Sequence, residues 1–479
     1  MNKLQKANEY IQKNKEKVNN RPVYHFSPEI GWMNDPNGFS YYKGKYHLFY
    51  QYYPYDIVWS DMHWGHAITN DFIKWEYLPV AMANDKVYDA NGCFSGSAIE
   101  KDGNLYLIYT GHIDPNIEFD RDERQIFERQ CIAYSNDGVN FEKIQDNPVI
   151  GEKHLPEGYL ICDFRDPKVL EVNDVYYCVL SVRNSKRRGE IIMFESTDLV
   201  DWTFHSSIYQ TKVEENTLLE CPDLFRIDNK DVFIFSEMPC DPEFENQVEK
   251  KTTYLLGEMD FENGEFHRER KGTLDYSTFY APQTTEGENG ERLLIGWMHR
   301  WHQSAPPNEY GYNGMMSLPR QLNIKNGDLI QQPFIDQKKY FKPSVTYENV
   351  QLQKKKIDID GEGTGYLKLS VSPTISGEFT IELNKNENKS TSVEVDVENK
   401  IISMDSDYGN QDRIEIKECF SNGDLTLEFY IDLHSVELFV NSGEHVVTFT
   451  AYDQNKGRNI SIVGEEVELQ QVRYEVFRP

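Results

Sequence analysis

The chain reads as an all-β protein: a five-bladed β-propeller, then a C-terminal antiparallel β-sandwich, with a short N-terminal helix in front. Three observations predict this. A grammar of polar or acidic motif, strand, turn and apolar strand occurs five times, starting at residues 34, 94, 164, 220 and 280. A second marker centred on Asp71, Asp137, Asp198 and Asp260 is interleaved with the first at a similar spacing. A period near 60 residues holding about four short strands is what a propeller blade requires. Residues 345–479 then change character, alternating apolar and polar positions with no helical periodicity.

Taken in order, residues 1–22 form a helical segment, whose helix over 3–18 is polar with a thin apolar stripe at Leu4, Ala7 and Ile11. The propeller occupies residues 23–332. Its five repeats open with N-D-P-N-G-F, F-S-G-S, F-R-D-P, E-C-P-D-L and Y-A-P-Q. Each blade's first strand lines the central channel, so motifs far apart in sequence converge on one axial pocket. The second marker, as in Y-S-N-D-G-V-N-F (134–141), has a degenerate fifth copy at I-K-N-G-D-L (324–329). A Pro- and Lys-containing linker covers 333–344. The sandwich follows over 345–479, with strands such as Y-L-K-L-S-V and L-T-L-E-F-Y-I-D divided by turns at S-N-G-D and N-S-G-E. It carries no acid-Pro motif and is assigned a structural or interface role.

Composition narrows the functions. Fifty Lys and Arg against 79 Asp and Glu give a net charge of −29, which argues against nucleic acid or an anionic membrane as partner. No run approaches the roughly 18 apolar residues of a membrane span. The N-terminus shows no apolar h-region or small-residue cleavage site, which predicts a cytoplasmic protein. Seven cysteines without a C-x-x-C pair fit reduced thiols in such a compartment. Aromatics reach 13%, which suits both β-structure and carbohydrate platforms.

The chemistry is expected at the axis. Three carboxylates open blades beside a restraining proline: Asp35 before Pro36, Asp166 before Pro167, and Glu220 two residues before Pro222. Pro36 biases Asp35 toward an extended conformation, and Gly38 can take dihedrals that a side chain forbids. An isolated acid-Pro pair is an ordinary turn, and Asp114-Pro115 and Asp241-Pro242 are read that way. Like charges gathered on one axis raise one another's pKa, so three in register suggest a task. One protonated and one ionised carboxyl is the equipment of a glycosidase. Calcium is the rival reading of three acids, but no D-x-D-x-D-G spacing supports it, so neither metal nor cofactor is expected. Trp32, Gln51, Trp59, Phe94, Ser95, Arg165, Tyr280 and Trp297 lie at the same blade starts. Aromatic walls with a few polar groups suit a sugar ring, and Arg165 beside Asp166 would help keep that carboxylate ionised.

Together, W-M-N-D-P-N-G, F-S-G-S, F-R-D-P, E-C-P-D-L and F-Y-A-P-Q resemble glycoside hydrolase family 32, and D-L-H-S-V-E-L-F-V-N-S-G-E (432–444) resembles that family's sandwich domain. The resemblance implies a retaining β-fructofuranosidase working through a covalent fructosyl-enzyme. Asp35 would be the nucleophile, Glu220 the general acid/base and Asp166 a transition-state stabiliser holding fructose hydroxyls. Cys221 would tune Glu220, and Asn34, Gln51, Trp59, Ser95 and Arg165 would line the fructose pocket. The chain departs from the family pattern at W-S-D-M-H-W-G-H (59–66), with Asp61 where Asn is common, and at L-D-Y-S-T (274–278). Both departures are expected at the pocket rim. Sucrose-6-phosphate, sucrose and fructo-oligosaccharides are the implied substrates, and a homodimer is compatible with the resemblance. A fructosyltransferase, an inverting five-bladed enzyme and a non-catalytic propeller lectin are the alternatives.

Overall fold

The computed structural model describes residues 1–479 apart from 116–122, 213–216, 240–250, 300–305, 362, 372–376, 409–412, 418, 420–424 and 453–456. Cys240, the Asp241-Pro242 pair and the S-N-G-D turn therefore lie outside the described residues.

Five antiparallel sheets follow one another along the chain, with innermost strands Gly31–Tyr42, Gly92–Lys101, Tyr159–Val172, Thr217–Ile227 and Tyr280–Glu286. Each innermost strand touches the next, and the fifth returns to touch the first, closing a ring. A short parallel strand, Tyr312–Asn313, leaves the fifth blade to pair with Gly31 and Trp32, which ties the ring's two ends together. The expectation of a propeller followed by a sandwich thus holds.

The two sequence markers have separate physical origins. The second is the turn before each outermost strand. There the aspartate's Oδ1 accepts two successive backbone amides: Ile73 and Lys74 for Asp71, Val139 and Asn140 for Asp137, Val200 and Asp201 for Asp198, and Glu262 and Asn263 for Asp260. In the fifth blade the same connection is a tighter two-residue turn, Asn326-Gly327, with both residues at positive φ. The first marker is a bulge. In every innermost strand the pairing slips at the motif: at Asn34-Asp35, Ser95, Asp166-Pro167, Cys221-Pro222 and Ala281-Pro282. Proline has no N–H for the ladder, so it is tolerated where the ladder is already broken.

The N-terminal helix, Lys3–Asn14, is capped by Asn2 and Gln5 in a reciprocal box and buries Ala7 and Ile11, two of the three stripe residues. Among the described residues no helix is long and apolar enough to cross a membrane. The six described cysteines are free and buried.

The second domain is a single ten-stranded sheet folded into two layers around one apolar core. Two 19-residue strands, Phe341–Ile359 and Asn459–Phe477, pair along their whole length. The second of them bonds to Gly365–Val371 with one half and to Glu378–Lys385 with the other, so it runs through both layers.

A buried charge network joins the domains. Asp432 accepts the backbone amides of Val23, Tyr24 and His25 and bonds His25 Nδ1 at 2.9 Å. Glu437 takes His25 Nε2 at 2.9 Å and Arg320 at 2.7 Å, and Arg320 also reaches Asp275 at 2.9 Å. The L-D-Y-S-T stretch belongs here rather than at the pocket rim. Asp275 bonds Arg320, while the amides of Tyr276 and Thr278 donate to Val446 and Thr448 of the sandwich. Its departure from the family pattern therefore concerns domain docking.

The paired carboxylates raise His25 from 6.5 to about 9 against the opposing effect of burial, while the bonds from His25 and from the Val23 and Tyr24 amides hold the Asp432 carboxyl well below the usual range despite its burial. A raised histidine pKa supplies stability that is complete below about 6.5 and is lost as pH rises through about 9. Asp432→Asn, which leaves the buried network short of a charge, should cost about 3–5 kcal/mol. Calorimetry from pH 6 to 10 should show the wild-type melting temperature falling across this window and a flatter, lower profile for the variant. Coincident profiles would show that the network does not hold the domains together.

Candidate active site

Four of the five bulges bring their residues together, since Asp35, Ser95, Asp166 and Cys221 bond one another across blades. Asp166, Cys221 and Ala281 sit at φ of 64°, 49° and 48°, values that non-glycine residues rarely adopt and that cluster at functional sites. Asp35 keeps a negative φ, as its proline predicts, and Gly38 takes φ 50°, where a Cβ would lie 2.8 Å from the Phe49 ring.

Asp35 and Asp166 meet on one sulfur. Cys221 Sγ lies 3.5 Å from Asp35 Oδ2 and 3.6 Å from Asp166 Oδ2, and the Cys221 amide donates to Asp166 Oδ2 at 2.9 Å. The thiol therefore faces these two acids, although its neighbour in sequence is Glu220. Ser95 Oγ donates to Asp35 Oδ2 at 2.6 Å and Asn34 Nδ2 to Oδ1 at 3.1 Å, while Trp32 Nε1 orients Asn34 through a 2.8 Å bond. Glu220 accepts Arg165 Nη2 at 2.9 Å and the Tyr280 hydroxyl at 2.6 Å on its two oxygens.

Burial dominates the electrostatics. It raises Asp35 from 3.8 to about 6, against the hydrogen bond from Ser95 and with help from the charge of Glu220. It raises Asp166 to about 7, with Arg165 offsetting part of the rise and Glu220 and Asp35 adding to it. The site, in which Arg165 is the guanidinium bonded to these acids among the described residues, favours keeping a proton on Asp35 or Asp166 toward neutral pH. It can thus hold an acid and a carboxylate together, the condition for cleaving a bond to an anomeric carbon.

The aromatic expectations divide. Trp59 and Phe94 are half-buried and meet edge to face at 5.9 Å, forming an open wall beside Ser95. Trp32 meets Trp297 edge to face, with ring centroids 5.9 Å apart. Trp297 is a correction. It has no exposed surface, and it stacks on His299 at 4.8 Å behind Trp32, so it supports the wall without facing a ligand. Gln51 spends its amide on the Cys93 carbonyl at 2.9 Å and acts on the strand.

Several groups were invisible in the sequence. Thr110 Oγ1 accepts the Asp166 amide at 3.0 Å, and Glu128 and Asp163 bind Arg165 Nη1, each at 3.1 Å. Thr110 and Glu128 lie on the second and third strands of their blade, where no motif recurs. Asp163, three residues upstream of Asp166, carried only the signal of an additional acid.

The chain is similar to known proteins over nearly its whole length. Residues 25–333 match the model of the glycosyl hydrolases family 32 N-terminal domain, and residues 336–476 match that of the family's C-terminal domain. A sucrose-6-phosphate hydrolase of Escherichia coli is 30% identical over 447 residues, covering 92% of this chain and 91% of its own length. One from Bacillus subtilis (strain 168) is 31% identical over 466 residues, covering 92% of each. A solved family 32 β-fructofuranosidase of Bombyx mori, a variant in complex with sucrose, is 32% identical with a TM-score of 0.84. That match spans 99% of this chain and 98% of the silkworm chain.

The raised Asp166 pKa carries a stability consequence. The unfolded chain releases this proton near 3.8, and the native state keeps it to about 7. Native stability therefore falls as pH rises through that window and bears the full burden of the buried charge above it. Asn tolerates the left-handed backbone and can still accept the Cys221 amide. Asp166→Asn should thus melt higher than wild type by a few degrees at pH 8, with the gap closing toward pH 5, while kcat falls roughly 10²–10⁴-fold. A gap independent of pH would contradict the buried-charge account.

Proposed function

This chain belongs to glycosyl hydrolase family 32 and is a hydrolase acting on sucrose-type substrates; from that premise we propose that Asp35, Glu220 and Asp166 divide the work of a retaining β-fructofuranosidase. Asp35 attacks the anomeric carbon of a terminal fructosyl unit while Glu220 gives its proton to the departing oxygen. The bond to the leaving sugar breaks as the ester to Asp35 forms. Glu220, now a carboxylate, takes a proton from water, whose oxygen displaces Asp35 and releases fructose. Asp166 accepts hydrogen bonds from the fructose hydroxyls and stabilises the oxocarbenium-like transition state by its charge.

The observation that carries this reading is the convergence of the three acids, with Asp35 and Asp166 sharing the Cys221 sulfur and Glu220 held between Arg165 and Tyr280. The Ser95 and Asn34 bonds hold Asp35 in one orientation for attack. Asn34, Ser95, Arg165, Trp32, Trp59, Phe94 and Tyr280 form the polar floor and aromatic sides of the fructose pocket. Gln51 and Trp297 buttress it.

Sucrose-6-phosphate or sucrose in the cytoplasm is the proposed substrate. Sucrose-6-phosphate hydrolase is the name carried by both bacterial relatives described above, and buried free thiols suit a reducing compartment. No step requires a cofactor or metal. A homodimer fits as well as a monomer, because every group assigned a step comes from one chain. Exo-acting hydrolysis of fructo-oligosaccharides, or fructosyl transfer to a sugar, would use the same acids.

Azide separates the acid roles, since it is anionic and needs no base. With an activated fructosyl donor, Glu220→Ala should accumulate fructosyl-enzyme and, on adding azide, give a fructosyl azide of retained configuration. Asp35→Ala should give the inverted azide or nothing. Retained azide from Asp35→Ala alongside an inert Glu220→Ala would reverse the two roles. Side-by-side kcat/KM on sucrose, sucrose-6-phosphate and kestose ranks the substrates, and the phosphorylated or free disaccharide should lead; a lead for kestose would favour the fructan reading.

A further inference from the structure

Among the described residues, Arg165 is the guanidinium within hydrogen-bonding distance of Glu220, yet only part of its hydrogen bonding goes there. Nη2 and Nε point at Glu220 Oε1, at 2.9 and 3.3 Å, while Nη1 divides between Glu128 Oε2 and Asp163 Oδ1, each at 3.1 Å. Asp163 has a second cation, since Arg183 Nε donates to its other oxygen at 2.7 Å and also bonds Glu123. Glu128 has none of that kind. It is 2% exposed and takes the Phe164 amide at 2.9 Å. Its other oxygen lies 3.2 Å from His112 Nδ1. His112 in turn stacks face to face on Phe94 at 3.9 Å with 11° between the rings.

We propose that Glu128 is a positioning residue for the reaction: by sharing the charge of the Arg165 guanidinium, whose Nη1 it binds while Nε and Nη2 stay on Glu220, it lets Glu220 carry the proton that the leaving sugar needs. This rests on the reading of Glu220 as acid/base given above. The physical reason is competition. A guanidinium cannot be deprotonated in a protein, so its charge falls on whichever carboxylates surround it. Were Glu220 its only strong partner, Arg165 would hold it as a carboxylate through charge-assisted bonds, suiting the water-activating step and starving the protonating one. With Glu128 fixed on the opposite edge of the fork, Glu220 can move between its two forms. Among the described residues, the other charged or titratable groups facing this cluster are Asp163, shared with Arg183, Asp166 beside Arg165, and Asp35, Cys221 and Tyr280 around Glu220. His112 couples Glu128 to Phe94 and thus to the wall of the pocket.

Glu128→Gln keeps the shape and the oxygen that accepts the Phe164 amide but removes the competing charge. Its alkaline limb of kcat/KM should move to lower pH by about one unit, and kcat/KM on sucrose at neutral pH should fall roughly tenfold or more. On p-nitrophenyl β-fructofuranoside, whose phenolate leaves without a proton, the loss should stay within about threefold, because only protonation has been impaired. Glu128→Asp should restore the limb. A packing role would lower both substrates alike and leave the limb in place, and that result overturns the proposal. Should Glu128→Gln fail to fold, Asp163→Asn probes the same competition from the other carboxylate and must shift the limb in the same direction. Glu220→Ala is run in parallel: if it lacks the same dependence on leaving group, the assignment of Glu220 itself has failed, an outcome distinct from an unmoved limb in Glu128→Gln.

Discussion

Gathering like charges out of water is the constraint around which this molecule is arranged. Asp35, Asp166 and Glu220 occupy one end of a channel with Arg165 among them. Desolvation and the repulsion of neighbouring carboxylates disfavour the ionised forms of Asp35 and Asp166, which burial pushes upward. The surrounding structure answers with directed hydrogen bonds. Ser95 and Asn34 are spent on Asp35, the Cys221 amide on Asp166, and Tyr280 and Arg165 on Glu220. Each donor comes from a different part of the ring, so closing the propeller and assembling the site are one event.

The bulges make that assembly mechanically possible. A regular innermost strand would alternate its side chains between the two faces of its blade. A slip in register re-aims one residue, and it does so at the same level in all five blades. The left-handed backbone at Asp166, Cys221 and Ala281 is the local strain of this device, held in place by ladders on either side. The His25–Asp432–Glu437–Arg320 network then fixes the segment leading into the Asp35 strand against the sandwich. That gives the second domain a share in positioning the catalytic edge without contributing a reacting group.

Much of this was legible in the sequence, and for a physical reason. Proline and the acids beside it mark the bulges, and aspartate marks the turns before the outer strands, so both the period and the axial residues leave a local trace. The groups that escaped detection act across strands. Glu128, Thr110 and Asp163 are ordinary polar residues until the ring closes, and nothing in their neighbours distinguishes them from solvated side chains. Adjacency also misleads. Cys221 follows Glu220 in sequence, but the bulge turns its sulfur toward Asp35 and Asp166. Trp297 shares a blade with Tyr280 but lies one layer too deep to meet a ligand. The L-D-Y-S-T stretch just ahead of Phe279 leads away from the pocket into the domain interface.

The central claim is that Asp35 forms a bond to the sugar while its two neighbouring acids do not. Peptide mapping by mass spectrometry tests it directly. Glu220→Ala would be exposed briefly to an activated fructosyl donor, quenched in acid and digested. The account predicts a fructosyl ester on the peptide containing Asp35. An ester on the peptide containing Asp166, or turnover of the donor with no covalent adduct at any time, would contradict it.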